Sequence, residues 1–128
     1  MLVTGVDLVV ISRVERVLER YGERFLIRVF TPAEIAHSRR RPPELAARFA
    51  AKEAVSKALG VGMRLMSPHG ISWRNVETLT ETTGRPYLVL QGRAKALATQ
   101  QGLTTWSLSL SHDGDMAIAV VVAMGNPS

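Results

Sequence analysis

The sequence predicts an α+β fold in which helices pack on an antiparallel sheet, within a single domain spanning residues 1–128. Three observations predict it. Segments with helical spacing of apolar residues are interleaved with segments in which apolar residues run on or alternate. An Asp113-Gly114 pair sits between two strand-like stretches near the C-terminus, a strong hairpin signal. No internal repeat, low-complexity tract or linker divides the chain, and a domain of this length buries about two thirds of its unfolded surface.

Residues 2–11, LVTGVDLVVI, are apolar and β-branched and read as a buried strand. Ser12 and Glu15 have capping-box spacing, Val14, Val17, Leu18 and Tyr21 follow at helical period, and Gly22 is the expected stop. Thr31, Pro32 and Glu34 predict a second cap. The short helix it opens should fail before Pro42 and Pro43, because a residue preceding proline avoids the helical region. A longer helix is expected over 43–59 with Gly60 as its end, then a loop over 61–70 containing Gly62, Pro68 and Gly70. Residues 71–82 and 86–90 read as strands about a turn at Thr83-Gly84. A helix over 93–101 closes at Gly102. From 104 to 111 the chain alternates, with Trp106, Leu108 and Leu110 on one face and Ser107, Ser109 and Ser111 on the other. Residues 116–124 return as the partner strand.

Composition narrows the function. With 46% hydrophobic and 21% charged residues the chain is an ordinary globular sequence. It has no cysteine, which excludes disulfides, zinc-thiolate sites and thiol nucleophiles. The first residues lack the basic stretch and long apolar run of a signal peptide, and no run reaches the roughly 18 apolar residues of a membrane span. A soluble cytoplasmic protein is expected. Sixteen Lys and Arg against 11 Asp and Glu favour anionic partners without choosing among them. Arg39, Arg40 and Arg41 form the one tight basic run, ordinarily a solvated loop. A nucleic-acid-binding module is the alternative reading of this charge. Aromatic residues make up only 5% of the chain and no nucleic-acid-binding motif is present, so base stacking has little to work with.

The chemistry concentrates in two stretches. In RFAAKEAVSKALG, residues 48–60, Arg48, Lys52, Glu53 and Lys57 make a narrow polar stripe on a helix otherwise built of Ala, Val, Phe and Leu. Glu53 and Lys57, four apart, share a face. Their ordinary reading is a surface ion pair, but a narrow stripe can equally line a cleft. Asp7 stands among apolar neighbours in the first strand, where a carboxylate needs backbone donors, a cation or a metal. If Asp7 and Glu53 meet across the strand–helix contact, the pair suits Mg²⁺, which takes one or two protein carboxylates and completes its shell with water and phosphate oxygens. Zinc would want His or Cys, and His37, His69 and His112 have no ligand spacing. Arg48, Lys57 and Arg39 or Arg40 are then candidates to meet a pyrophosphate. Gly84-Arg85-Pro86 and Ser111-His112 are smaller features that suit a phosphate-bearing ligand, each with a plain structural reading beside it.

With these residues in hand, the chain resembles the holo-acyl-carrier-protein synthase family of 4′-phosphopantetheinyl transferases. The likeness rests on GVDLVVISRV at 5–14, RFAAKEAVSKALG at 48–60, GRP at 84–86 and SLSH at 109–112, in the family's order, and runs from about residue 4 to 123. Thr4, Val61 and Thr83 depart from residues frequent at those positions. The resemblance implies a reaction: the phosphopantetheine arm of coenzyme A moves to a serine of apo acyl carrier protein in fatty acid biosynthesis, leaving adenosine 3′,5′-bisphosphate. It implies Mg²⁺ on Asp7 and Glu53, with Lys57 neutralising the transferred phosphate or assisting the serine proton. Glu53, a metal-bound water and Lys57 all stand as candidates for the base. Arg48, Lys57, Gly84, Arg85, Pro86, Ser111 and His112 are implied to line the coenzyme A site, and Arg13 to lie on the helix that receives the acidic carrier. The family is similar in forming trimers with shared active sites. A carrier-binding subunit without catalysis is a third reading, disfavoured by the intact Asp7 and Glu53.

Overall fold

A computed structural model of the chain describes residues 1–63 and 68–125. Strand β1 (Leu2–Val10) leads into α1 (Ile11–Tyr21), α2 (Glu23–Val29), α3 (Pro32–Ser38) and the long α4 (Pro42–Leu59). A 3₁₀ turn (Trp73–Asn75), β2 (Val76–Thr80), β3 (Pro86–Leu90), α5 (Gly92–Gln100), β4 (Thr105–Asp113) and β5 (Met116–Met124) follow. The expected α+β class is borne out. β1, β5 and β4 form one antiparallel sheet in that order, and β2 and β3 form a separate antiparallel pair. Among the described residues no helix is long and apolar enough to cross a membrane.

Helix α4 crosses the three-stranded sheet, and its composition explains how close it lies. Ala50, Ala51, Ala54 and Val55 are fully buried. Gly5 of β1 touches the helix backbone: a Cβ there would stand 2.0 Å from the Ala54 carbonyl oxygen. Short side chains on both elements therefore set the strand–helix distance. Gly60 ends the helix at φ 77°, a left-handed conformation that favours glycine. Two apolar clusters flank this contact. One fills the space between α4, the sheet, α5 and β2; the other lies under α1, α2 and α3 around Leu26, Phe30 and Leu45.

The polar stripe on α4 is divided between two faces. Lys52 has no solvent exposure, and its ammonium donates to Glu34 Oε1 at 2.7 Å, the Trp73 carbonyl at 3.0 Å and the Val76 carbonyl at 2.5 Å. Glu34, equally buried, also accepts from the Thr31 amide at 3.1 Å and the Thr78 amide at 3.0 Å. One ion pair thus joins α3, α4, β2 and the 3₁₀ turn. Burial pushes the Lys52 ammonium below its ordinary 10.5, while the Glu34 carboxylate pulls it back up.

Several expected boundaries are corrected. Gly22 ends α1 at φ 53° as expected, but a second helix absent from the sequence reading, α2, starts at once and buries Leu26 and Val29. The capping box expected at Ser12 does not form: α1 begins at Ile11, with Ser12 inside its first turn. The Thr31 box forms as expected. The strand expected over 71–82 is shortened to β2, because Ser72 and Asn75 cap a 3₁₀ turn first. The hairpin turn falls on Gly114 and Asp115, since Asp113 pairs with Met116. The loop expected over 61–70 lies partly outside the described residues; Met63 and Ile71 at its ends form a parallel bridge.

Replacing Lys52 with Met should destabilise the fold by about 3–5 kcal/mol, because Glu34 is left charged and buried without its partner. Chemical denaturation of Lys52→Met against wild type measures this.

Candidate active site

The second polar face of α4 meets β1. Side chains alternate along a strand, so Asp7 projects to the same side as Gly5, towards the helix. There Lys57 Nζ donates to Asp7 Oδ1 at 2.8 Å and to the Val6 carbonyl at 3.2 Å. Lys57 thus pairs with Asp7 across the strand–helix contact rather than with Glu53 along the helix, the ordinary alternative for residues four apart. The Asp7 side chain is 16% exposed and that of Lys57 54%. Glu53, one turn before Lys57, is only partly buried. Burial and then the Asp7 carboxylate hold the Glu53 carboxyl above its ordinary 4.5, with Lys57 opposing them. Two acidic groups and one cation therefore share a neighbourhood in which the acids repel each other.

These three residues line a cleft of about 500 Å³ with Arg13 of α1 and the rings of Phe25 and Phe49. Its volume is within the range of small-molecule sites. It has a charged end and a largely apolar wall.

A second, smaller cleft of about 170 Å³ gathers most of the other expected residues: Arg48, Gly84, Pro86, Ser111 and His112. Arg85 is exposed on the turn beside it, where Gly84 takes φ 89°. Arg48 is 1% exposed, and its guanidinium donates to Glu44 Oε2 at 2.9 Å and to the Glu44 and Thr78 carbonyls at 3.2 Å. It forms part of the floor of this cleft while bracing α4 against β2. Within one chain, then, the acidic pair and the Gly-Arg-Pro and Ser-His residues occupy two clefts.

The donor set of the first cleft fits a hard divalent cation. Asp7 Oδ1 and the Val6 carbonyl already accept an ammonium, and Glu53 adds a carboxylate whose proton affinity is raised first by burial and then by the Asp7 charge. Among the described residues no group of three or more His, Cys, Asp or Glu converges on one point. An ion held by Asp7 and Glu53 would keep coordination positions for water or a phosphate, as Mg²⁺ does.

Two interactions near the site escaped the sequence. The buried Lys52–Glu34 pair was signalled only by Glu34's place in the capping box. Asp115 binds the start of α1 from the β4–β5 turn, and no local pattern marks such a long-range contact.

Comparison with known proteins shows the family and the fold. Residues 4–121 match the model of the 4′-phosphopantetheinyl transferase superfamily. A holo-[acyl-carrier-protein] synthase of Herpetosiphon aurantiacus is 49% identical over 127 residues, 98% of this chain and 100% of the relative. One from Dehalococcoides mccartyi is 47% identical over 96% of this chain and 98% of its own length. Among solved structures, the Helicobacter pylori holo-[acyl-carrier-protein] synthase in complex with coenzyme A superposes with a TM-score of 0.83 at 33% identity, covering 94% of this chain and 99% of that one. The Neisseria meningitidis enzyme gives 0.82 at 33% identity over 95% and 97%.

Because the folded Glu53 carboxyl lies above its ordinary value, the unfolded chain ionises first as pH rises. The stability carried by protonated Glu53 is complete below about 4.5 and lost as pH rises through the folded value. Glu53→Gln should therefore be more stable than metal-free wild type at neutral pH, with the advantage vanishing in acid. Melting curves in chelator across this range give the comparison.

Proposed function

This chain belongs to the 4′-phosphopantetheinyl transferase superfamily, as an enzyme of its holo-[acyl-carrier-protein] synthase branch, and from that premise we propose that it transfers the phosphopantetheine arm of coenzyme A to a serine of apo acyl carrier protein in fatty acid biosynthesis. The observation that carries the reading is the convergence of Asp7, Glu53 and Lys57 in one cleft, from two matched segments far apart in sequence.

The reaction is a phosphoryl-type displacement, in which positioning and charge stabilisation do most of the work. The serine oxygen attacks the pyrophosphate phosphorus nearer the pantetheine, a P–O bond forms there, and adenosine 3′,5′-bisphosphate leaves. Asp7 and Glu53 would hold Mg²⁺, which supplies Lewis-acid stabilisation of charge on the pyrophosphate. Lys57 keeps its ammonium at the charged end of the cleft, where it neutralises the transferred phosphate. Glu53, at the same end of the cleft, is a side chain placed to take the serine proton. Arg48, Gly84, Arg85, Pro86, Ser111 and His112 receive the adenylate end of coenzyme A.

Arg13, Arg16, Arg20 and Arg24 are exposed along α1 and the start of α2, a basic stripe suited to an acidic carrier protein and adjoining the cleft through Arg13. A homotrimer with shared sites is supported by the sheet. On the face away from α4, Leu2 pairs with Met124 and Val6 with Val120, and these four are 63, 47, 51 and 38% exposed. An apolar sheet face of this kind marks an interface. The smaller cleft falls short of the ~300–1,000 Å³ typical of ligand sites, so completion by a neighbouring subunit suits it.

Incubation with coenzyme A, Mg²⁺ and an apo acyl carrier protein should add a phosphopantetheine mass to the carrier, detectable by mass spectrometry. Chelator should abolish the gain, and Glu53→Gln should slow it about 100-fold or more. Absence of any gain across several carriers would reject the reading. Val120→Glu should shift the sedimenting species from trimer to monomer and reduce transfer with it; a monomeric wild type would reject the shared site.

A further inference from the structure

Helix α1 forms one wall of the larger cleft, through Arg13, Val14 and Val17, yet its own sequence leaves its N-terminus uncapped. Val10 occupies the N-cap position, and the first turn contains no acidic residue. The missing cap comes from more than 100 residues away. The Asp115 carbonyl accepts the Ile11 amide at 2.8 Å, Asp115 Oδ1 accepts the Ser12 amide at 2.9 Å, and Asp115 Oδ2 accepts the Ser12 hydroxyl at 2.5 Å. One residue of the β4–β5 turn thus satisfies two orphan backbone donors and sets a negative charge at the positive end of the helix.

The location gives this cap a consequence beyond stability. Arg13 follows Ser12 directly, so the turn that Asp115 fixes is the turn that presents Arg13 to the cleft. The other strand of the same hairpin carries Ser111 and His112, which line the smaller cleft. We propose that Asp115 is a positioning residue for carrier-protein recognition, clamping the first turn of α1 to the hairpin so that Arg13 is held beside Asp7, Glu53 and Lys57. It touches neither substrate. The proposal rests on the functional reading above, since it concerns the carrier that α1 receives.

Asp115→Ala removes the side-chain cap, and Asp115→Asn retains an oxygen able to accept the Ser12 amide; Asn caps helices about as well as Asp. With the intact protein, coenzyme A and an apo acyl carrier protein, Asp115→Ala should raise KM for the carrier about fivefold or more, the ratio equivalent to a lost cap. KM for coenzyme A and kcat should stay within about twofold of wild type, and Asp115→Asn should restore the carrier KM to that same margin. A fall in kcat with both KM values unchanged would overturn the proposal in favour of a purely structural role. So would a carrier KM unaltered in Asp115→Ala, or an Asp115→Asn variant as impaired as Asp115→Ala. Should Asp115→Ala not fold, Ser12→Ala removes only the hydroxyl bond, and the same selective rise in carrier KM is expected, smaller in size; its absence overturns the proposal. Hydrogen exchange at the Ser12 amide, slow in wild type and fast in Asp115→Ala, reads the cap independently of any transfer. If the wild type transfers to no carrier while that exchange contrast holds, the functional reading has failed and the cap has not.

Discussion

An ammonium group shut away from water determines where the long helix sits. Lys52 has three oxygen partners inside the protein, one of them the buried carboxylate of Glu34, and each comes from a different neighbouring segment. Desolvating such a pair costs several kcal/mol per ion, and the mutual attraction offsets this only if the geometry is satisfied on every side. Here it is: Glu34 also accepts two backbone amides. The pair acts as a register pin. α4 cannot rotate or slide without stranding a charge, whereas an all-apolar contact would tolerate small shifts.

Fixing α4 on that side fixes what it presents on the other. Glu53 follows Lys52 by one residue and therefore turns towards β1 as Lys52 turns away. Gly5 lets the strand approach until its next inward residue, Asp7, meets Lys57. A bulkier pair in place of Gly5 and Ala54 would hold the two elements apart, and the acids would face solvent separately. The reactive neighbourhood is thus a by-product of close backbone packing, and its charge is arranged so that one carboxyl wants either a proton or a cation.

The remaining surfaces follow the same economy of elements. The sheet uses its inner face to bind α4 and leaves apolar side chains on the outer one, while α1 and α2 turn arginines outward. Under the proposed function, two anionic partners and a second copy of the chain would meet different faces of one small domain. The β4–β5 hairpin links two of these faces, because its strand borders the smaller cleft and its turn caps the helix that walls the larger one.

Much of this was legible in the residues. The α+β class followed from periodicity and glycine stops, the Thr31 capping box from its spacing, and the acidic pair with Lys57 from polar residues set in apolar segments. These are local signals, and local signals survive in a linear reading. The sequence could not show that a second helix starts immediately after Gly22, because that glycine carries the same stop signature whether the chain unwinds or merely turns. Nor could it assign Lys57 to Asp7 rather than to Glu53, divide the stripe of α4 between a buried brace and a cleft, or find the cap that Asp115 gives α1. Each of these depends on which side chains arrive from distant segments, and a buried charge takes whichever partner the packing brings within reach. Sequence alone determined which groups must be paired; only the tertiary structure decided with what.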